Sequence, residues 1–389
     1  MKRRDFLILA GVLPVAMENA AFAAAERPID YLAEIVREAV VPGAALAASR
    51  RGSVKWKQAM GTCCRVDCRQ APLTLDTPHP FYSFSKLITG SVVAIAVTEG
   101  RLDYGDLVSK YIPQFKGGGK DRITIRHCLT HSAGLAKLQS RGVRDPAGWD
   151  RALQRICAAN VEWEPGSQTA YHGWSGTFLA AECVRRVNGR VPWPELCRLK
   201  LFDPLGAKSL SYDMPAANEE VAIVPQPDPE KPLPETVEAA FGYAGQPGAG
   251  CFGTLGDALK VLHFHLQEGV CKSKRMISRE VFREMHTVQY AREIAAAQAA
   301  GETPKHEPWG LGPLLRGNGP ACEAHNWFGF HNQNSPGVFG HAGVNTFIGV
   351  GDLKLGVALV FATTNPPKSS EQTCVVRNRV TDLVFATLD

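Results

Sequence analysis

Apolar residues recur at helical spacing over residues 27–40, where Ile29, Leu32, Ile35, Val36 and Val40 share one face, and Pro42-Gly43 ends the run. The period then shortens. Residues 44–49 and 53–60 read as two strands around the turn Arg50-Arg51-Gly52-Ser53, a hairpin. From Lys86 an apolar run of helical length extends to Glu99-Gly100, where glycine supplies the usual C-terminal stop. Residues 101–245 read as mainly helical with long loops, and the stretch 215–237, rich in proline and acid, as a surface excursion. Helices are expected over 254–268 and 278–286, short strands over 309–315, 337–350 and 354–363, and a last helix over about 371–387.

Strands therefore come first and last, around a helical middle. This order predicts an α+β fold in which an N-terminal hairpin is completed by C-terminal strands into one antiparallel sheet, flanked by the N- and C-terminal helices. The sheet domain would comprise residues 26–85 and 248–389, with residues 86–247 inserted as a helical domain.

A chain of 389 residues suits one large or two closely joined domains. Hydrophobic content of 45% and charged content of 21% are those of an ordinary globular protein. The net charge of +5 is mild, and no lysine/arginine block lies beyond the N-terminus, which argues against a nucleic-acid partner. Residues 1–25 read as an export signal, with Lys2, Arg3 and Arg4 as the basic start, an apolar stretch over 6–15, and Ala21-Phe22-Ala23 as a small-residue cleavage site. Arg3-Arg4-Asp5-Phe6-Leu7 is similar to a twin-arginine signal, which predicts a periplasmic or extracellular protein; an uncleaved amphipathic N-terminus or membrane tether is the alternative. No second apolar run approaches the ~20 residues of a spanning helix. The eleven cysteines are odd in number and cannot all pair internally. Cys63, Cys64 and Cys68 fit no common zinc spacing, so neither metal nor cofactor is expected, and the scattered cysteines read as small buried hydrophobes.

Chemistry first suggests itself at Ser83-Phe84-Ser85-Lys86. A hydroxyl and an amine three residues apart on the first turn of a helix share one face, and the helix N-terminus favours negative charge beside them. An amine whose pKa is lowered by burial can take the serine proton. An acyl-transfer site also needs a proton shuttle and oxyanion donors. Tyr171 lies in a loop, Trp163 to Gly173, that enters an apolar helix over 176–187; beside cationic groups its phenol could ionise and act as a base. Gly340-His341-Ala342-Gly343 opens a strand whose glycines allow a ligand close to the backbone, so that the strand edge could bind substrate and one amide could face an oxyanion.

Taken in order, these motifs resemble the serine β-lactamase-related superfamily, which includes class C β-lactamases, D-alanyl-D-alanine carboxypeptidases, D-peptidases and class C-like esterases. The likeness spans nearly all of the chain after the leader: Pro42-Gly43-Ala44-Ala45 with Gly52 and Gly61, Tyr82-Ser83-Phe84-Ser85-Lys86, Glu99-Gly100-Arg101-Leu102-Asp103, and the segment Ile123 to Leu135 containing His127-Cys128-Leu129-Thr130-His131-Ser132-Ala133-Gly134. Gly253-Thr254 with Asp257, Trp309-Gly310-Leu311-Gly312 and Gly340-His341-Ala342-Gly343 complete it. The resemblance implies a β-lactamase/transpeptidase-like fold. It makes Ser83 the acylated nucleophile, Lys86 its activator and Tyr171 the shuttle to leaving group and water. The backbone N–H groups of Ser83 and Val344 become the oxyanion hole, and His341 and Gly343 belong to the substrate-binding strand.

One departure matters. The family pattern at the tyrosine is usually Tyr-x-Asn, and Gly173 stands in the asparagine's place. The pair Tyr171-His172 instead resembles the esterase-like branch, where His172 would contact substrate, and His341 replaces the lysine usual in β-lactamases. The leading expectation is a serine hydrolase acting on esters; a D-peptidase or β-lactamase is the alternative, and a non-catalytic binding protein on the same fold the third. A small-molecule or peptide acyl substrate is the expected partner. His127 and His131 read as structural, His263 and His265 point in different directions along a helix, and Gly117-Gly118-Gly119-Lys120 reads as a flexible turn rather than a phosphate loop. Residues 215–247 and 286–308 are expected to shape the pocket rim.

Overall fold

A computed structural model describes residues 26–64, 70–138, 146–213, 245–316, 335–344 and 346–388. The expected leader at 1–25, Cys68 and the excursion at 215–237 lie outside the described residues.

Among those residues, a seven-stranded antiparallel sheet forms the centre. Strands β1 (Gly43–Arg50), β2 (Ser53–Cys64) and β3 (Gln70–Pro72) come from the N-terminal part, and β4 (Leu314–Leu315), β5 (Val338–Gly343), β6 (Phe347–Asp352) and β7 (Val357–Thr363) from the C-terminal part. Their order is β3-β2-β1-β7-β6-β5-β4. The join is β1 against β7, with Ala44 opposite Thr363 and Arg50 opposite Val357. The expected closure of an N-terminal hairpin by the last strands is therefore present.

Side chains alternate across this join as a strand requires. Ala45, Ala47, Ala358, Val360 and Ala362 face one core, while Ala44, Leu46, Ala48, Val357, Leu359 and Phe361 face the other. The second face is covered by helix Pro28–Arg37, through Leu32 and Ile35, and by the C-terminal helix Ser370–Leu388, through Val376, Val380, Val384 and Phe385. The first face meets helices Ser85–Thr98 and Leu255–Leu266 and, beyond them, the helical segments between β3 and β4. Burial of both faces fits the largely apolar composition of β6 and β7, which are buried along their whole length.

Helix Ser85–Thr98 is buried on every side from Ser85 to Ala96. A helix apolar all round belongs in a core rather than on a surface. Placing a lysine in its first turn forces that lysine out of water.

Two expectations are corrected. The run 337–350 is not one strand but the hairpin β5–β6, in which Gly343 pairs with Phe347; a run buried on both faces hides the break in its periodicity. In 309–315 only Leu314–Leu315 is strand, because Gly310, Gly312 (φ 115°) and Pro313 fold that segment back so that Trp309 bridges Leu314. Residues 286–308 contain the helix Ala291–Ala299, an alanine-rich stretch whose high helix propensity was the available signal.

Candidate active site

Ser83 lies on a single 3-10 turn, Tyr82–Phe84, that runs directly into helix Ser85–Thr98. Tyr82 has φ 46°, a left-handed conformation that a bulky residue adopts only when its surroundings impose it. Those surroundings are visible: the Phe81 N–H donates to the Cys251 carbonyl (2.9 Å), and the rings of Phe81 and Phe84 pack at a tilt against Phe347 of β6 at 4.7 and 5.2 Å between centroids.

Lys86, 1% exposed, projects from the next turn. Its Nζ is 3.2 Å from Ser83 Oγ and 2.9 Å from each of the carbonyl oxygens of Gly173 and Gly248. Among the described residues no carboxylate pairs with it, and burial pushes the amine down to about 7. A neutral amine has two N–H groups and one lone pair. In that form the two carbonyls can take both hydrogens, which leaves the lone pair for the Ser83 hydroxyl.

The second of those carbonyls belongs to a segment the sequence reading did not assign to the site. Residues 246–251 dock along the helix: Thr89 Oγ1 donates to the Pro247 carbonyl (2.6 Å), and the Cys251 N–H donates to Ser85 Oγ (3.0 Å). A Cβ at Gly248 would fall 2.4 Å from Thr177 Oγ1, so the backbone reaches Lys86 only because residue 248 is glycine. The cluster Pro247-Gly248-Ala249-Gly250 was the signal for such a close approach.

Tyr171 is held by the loop around His131, a residue at φ 58°. The Ala170 N–H donates to the His131 carbonyl and the His172 N–H to His131 Nδ1, both at 3.0 Å. The Tyr171 ring then sits 4.7 Å from His131, 6.0 Å from Trp309 and 6.0 Å from His341, and Lys86 Nζ is 4.8 Å from its centroid. The residue remains 42% exposed overall. Desolvation raises its phenol above the usual value of 10, with the Ser83 hydroxyl opposing by hydrogen bonding and the Glu307 charge reinforcing. The resting phenol is therefore neutral, in contrast to the phenolate anticipated from nearby cations.

His172 packs beside this cluster, its ring 5.8 Å from that of His131, with both ring nitrogens committed to the backbone. Its ring is 1% exposed, Nε2 accepts from the Leu135 N–H (2.8 Å), and Nδ1–H donates to the Ala170 carbonyl (2.7 Å). Both ring nitrogens serve the protein, and the pKa is lowered to about 4, chiefly by burial. These bonds give His172 a part in fixing the tyrosine loop. His127 is structural as expected, completing a capping box with Thr124 at the N-terminus of helix Ile125–Leu129. His131 does more than expected, since its ring is also wedged between Tyr171 and Trp309. His263 and His265 diverge as expected, toward Ser49 and Ser91.

His341 on β5 is buried, donates from Nδ1 to the Ala342 carbonyl (2.8 Å) and packs 5.6 Å from Trp309. At the end of the same strand, a Cβ on Gly343 would come within 2.3 Å of the Phe81 carbonyl, so β5 lies directly against the nucleophile turn. Val344 follows, 61% exposed, at the hairpin tip. Gly173 faces open space, because a Cβ there would meet nothing within 4 Å. Ser83, Lys86, Tyr171, His341 and Gly343 are thus brought together, and His172 is held beside them with both ring nitrogens occupied by backbone groups.

Comparison with known proteins follows the same line. A sequence profile described as Beta-lactamase matches residues 29–377. Esterase EstB of Burkholderia gladioli is 28% identical over 295 residues, covering 65% of this chain and 73% of that protein. A beta-lactamase of Providencia stuartii is 23% identical over 318 residues, covering 79% of this chain and 76% of the other. Among solved structures, a family VIII carboxylesterase superposes with a TM-score of 0.73 at 22% identity, over 92% of this chain and 96% of that one.

Proposed function

The chain belongs to the Beta-lactamase family, whose relatives include esterases and beta-lactamases, and on that premise we propose that it hydrolyses esters through an acyl-enzyme at Ser83. The observation that carries this reading is the buried Lys86, whose Nζ lies 3.2 Å from Ser83 Oγ and 2.9 Å from the carbonyl oxygens of Gly173 and Gly248, and whose pKa burial lowers to about 7, so that a large share of the amine is neutral at neutral pH. As Ser83 Oγ attacks the acyl carbonyl carbon, its proton passes to Lys86 Nζ. The carbonyl oxygen becomes an oxyanion that the N–H groups of Ser83 and Val344 stabilise. Neutral Tyr171 gives its proton to the leaving alkoxide, regains one from Lys86, and in deacylation the same groups deliver water to the acyl carbon. His341 and Gly343 line the strand along which the acyl chain lies.

Esters are favoured over amides because no side chain at position 173 meets the substrate, and the esterase of Burkholderia gladioli supports that choice. The Providencia stuartii beta-lactamase supports a second reading, in which a penicillin is the acyl donor. Residues 1–25 fit an export leader, giving a periplasmic or extracellular enzyme.

The deciding experiment is intact mass after exposure to nitrophenyl esters, D-alanyl peptides and penicillins, with Ser83→Ala alongside. An adduct and turnover with esters, both absent in Ser83→Ala, are expected. Full ester turnover by Ser83→Ala would overturn the acyl-enzyme, and adducts with penicillin alone would move the assignment to the second reading.

A further inference from the structure

Arg377 lies on the C-terminal helix Ser370–Leu388, on the far face of the sheet from Ser83. It is 7% exposed, and among the described residues no carboxylate forms an ion pair with it. Such burial is unfavourable for a cation unless its donors are used well. Here Nη2 donates to the Gly343 carbonyl at 2.6 Å and to the Phe347 carbonyl at 3.3 Å, which tie together the two ends of the β5–β6 turn.

We propose that Arg377 is a positioning residue for the oxyanion hole, fixing and polarising the peptide between Gly343 and Val344. That peptide carries the Gly343 carbonyl on one side and the Val344 N–H on the other. The described residues contain no cis peptide, and in a trans peptide the two groups point in opposite directions. Drawing the carbonyl toward the C-terminal helix turns the N–H toward the opposite face, where Gly343 rests on the Phe81 carbonyl beside the nucleophile turn. Hydrogen bonds in series strengthen one another, so a carbonyl held by a guanidinium makes its own N–H a better donor. The uncompensated cation also places positive charge behind the point where the oxyanion forms. A fixed dipole there acts most on the transition state, since the ground-state carbonyl carries little charge.

The inference rests on the acyl-enzyme reading. Its test compares Arg377→Met and Arg377→Lys with the parent protein, using a nitrophenyl butyrate as substrate and phenylboronic acid, which adds to a serine oxygen as a tetrahedral anion, as the probe of the oxyanion site. For Arg377→Met, kcat should fall about 10- to 100-fold, less than the ~10²–10³ for outright loss of an oxyanion donor. KM should stay within about twofold, and boronate affinity should weaken in step with kcat. Arg377→Lys, which keeps the charge and one contact, should recover part of both; should the methionine variant not fold, the lysine variant makes the same comparison against the parent. Unchanged boronate affinity in a folded variant, or a rise in KM alone, would overturn the proposal. Ser83→Ala separates the two failures: if it is inactive while the Arg377 variants match the parent, only the role of Arg377 falls.

Discussion

Gly90 and Gly312 meet backbone to backbone: a Cβ on Gly312 would lie 2.9 Å from the Gly90 Cα, and one on Gly90 would lie 2.9 Å from the Leu311 carbonyl. Gly90 sits one turn beyond Lys86 on the nucleophile helix, and Gly312 ends the Trp309-Gly310-Leu311-Gly312 segment. This contact sets how closely Trp309 approaches the helix, and Trp309 in turn backs His131 and Tyr171. Gly90→Ala should therefore displace backbone on one side or the other. We expect a loss of about 1–3 kcal/mol of stability, in the range for overpacking a close contact, with ester kcat reduced as well. Thermal melting and steady-state kinetics on the one variant check it; an unchanged melting temperature would show that the contact yields freely.

The amine of Lys86 must be neutral to accept the serine proton. Its pKa of about 7 therefore predicts that kcat/KM rises with pH and levels off above neutrality. On the alkaline side the neutral phenol of Tyr171 is needed, and since burial raises it, activity should decline only above the ordinary phenol value of 10. A pH–rate profile from pH 5 to 11 tests both limbs. A flat profile through pH 7 would remove Lys86 as the base.

Gly173→Asn tests the opening beside the tyrosine. Its backbone is outside the left-handed region and a Cβ meets nothing within 4 Å, so the fold should be unchanged by melting. The added amide should hydrogen-bond an amide-bearing acyl donor and crowd a simple ester. The ratio of D-alanyl amide to ester turnover is expected to rise about tenfold, which corresponds to ~1.4 kcal/mol, the scale of one net hydrogen bond.

His172 is expected to matter for stability rather than for binding. His172→Phe leaves the Leu135 N–H and the Ala170 carbonyl unpaired in the interior, a loss of about 1–3 kcal/mol for a buried polar group. KM for esters should change little in a variant that still folds. A KM increase without loss of stability would return His172 to the substrate site.

Acid should destabilise the protein before its carboxylates titrate. Burial lowers His172 to about 4 and His79 and His265 to about 3, from an ordinary value of 6.5. Between those limits the unfolded chain binds protons that the native chain does not, so stability rises with pH in that window. The contribution is fully present above pH 6.5 and is lost as pH falls toward 3. Urea unfolding at pH 7, 5.5 and 4 should show a steady decrease, and replacing His172 should flatten it between pH 6.5 and 4.

How much of this was legible beforehand depended on whether the signal was local. Helix Pro28–Arg37, the hairpin β1–β2 and the C-terminal helix follow from periodicities of 3.6 and 2, which neighbouring residues impose on one another. The hairpin β5–β6 was read as a single strand because burial on both faces erases alternation. At the site, Ser83 and Lys86 were legible because one helical turn places them together, and the motif order added Tyr171 and His341. The inward rotation of His172 was not, since no pattern in a loop reveals which neighbour its ring will meet.

The sequence alone determined the chemistry on offer: a hydroxyl and an amine one turn apart, a phenol in a glycine-rich loop, and a strand edge ending in Gly343. Tertiary structure decided their charge states and partners. Only burial of the whole Ser85 to Ala96 stretch lowers Lys86 to about 7, and only the docking of residues 246–251 supplies the Gly248 carbonyl. The same holds for Arg377, 34 residues beyond Gly343 in sequence yet hydrogen-bonded to its carbonyl. Desolvation and long-range hydrogen bonds depend on what surrounds a group in space, and a linear pattern records only what adjoins it in the chain.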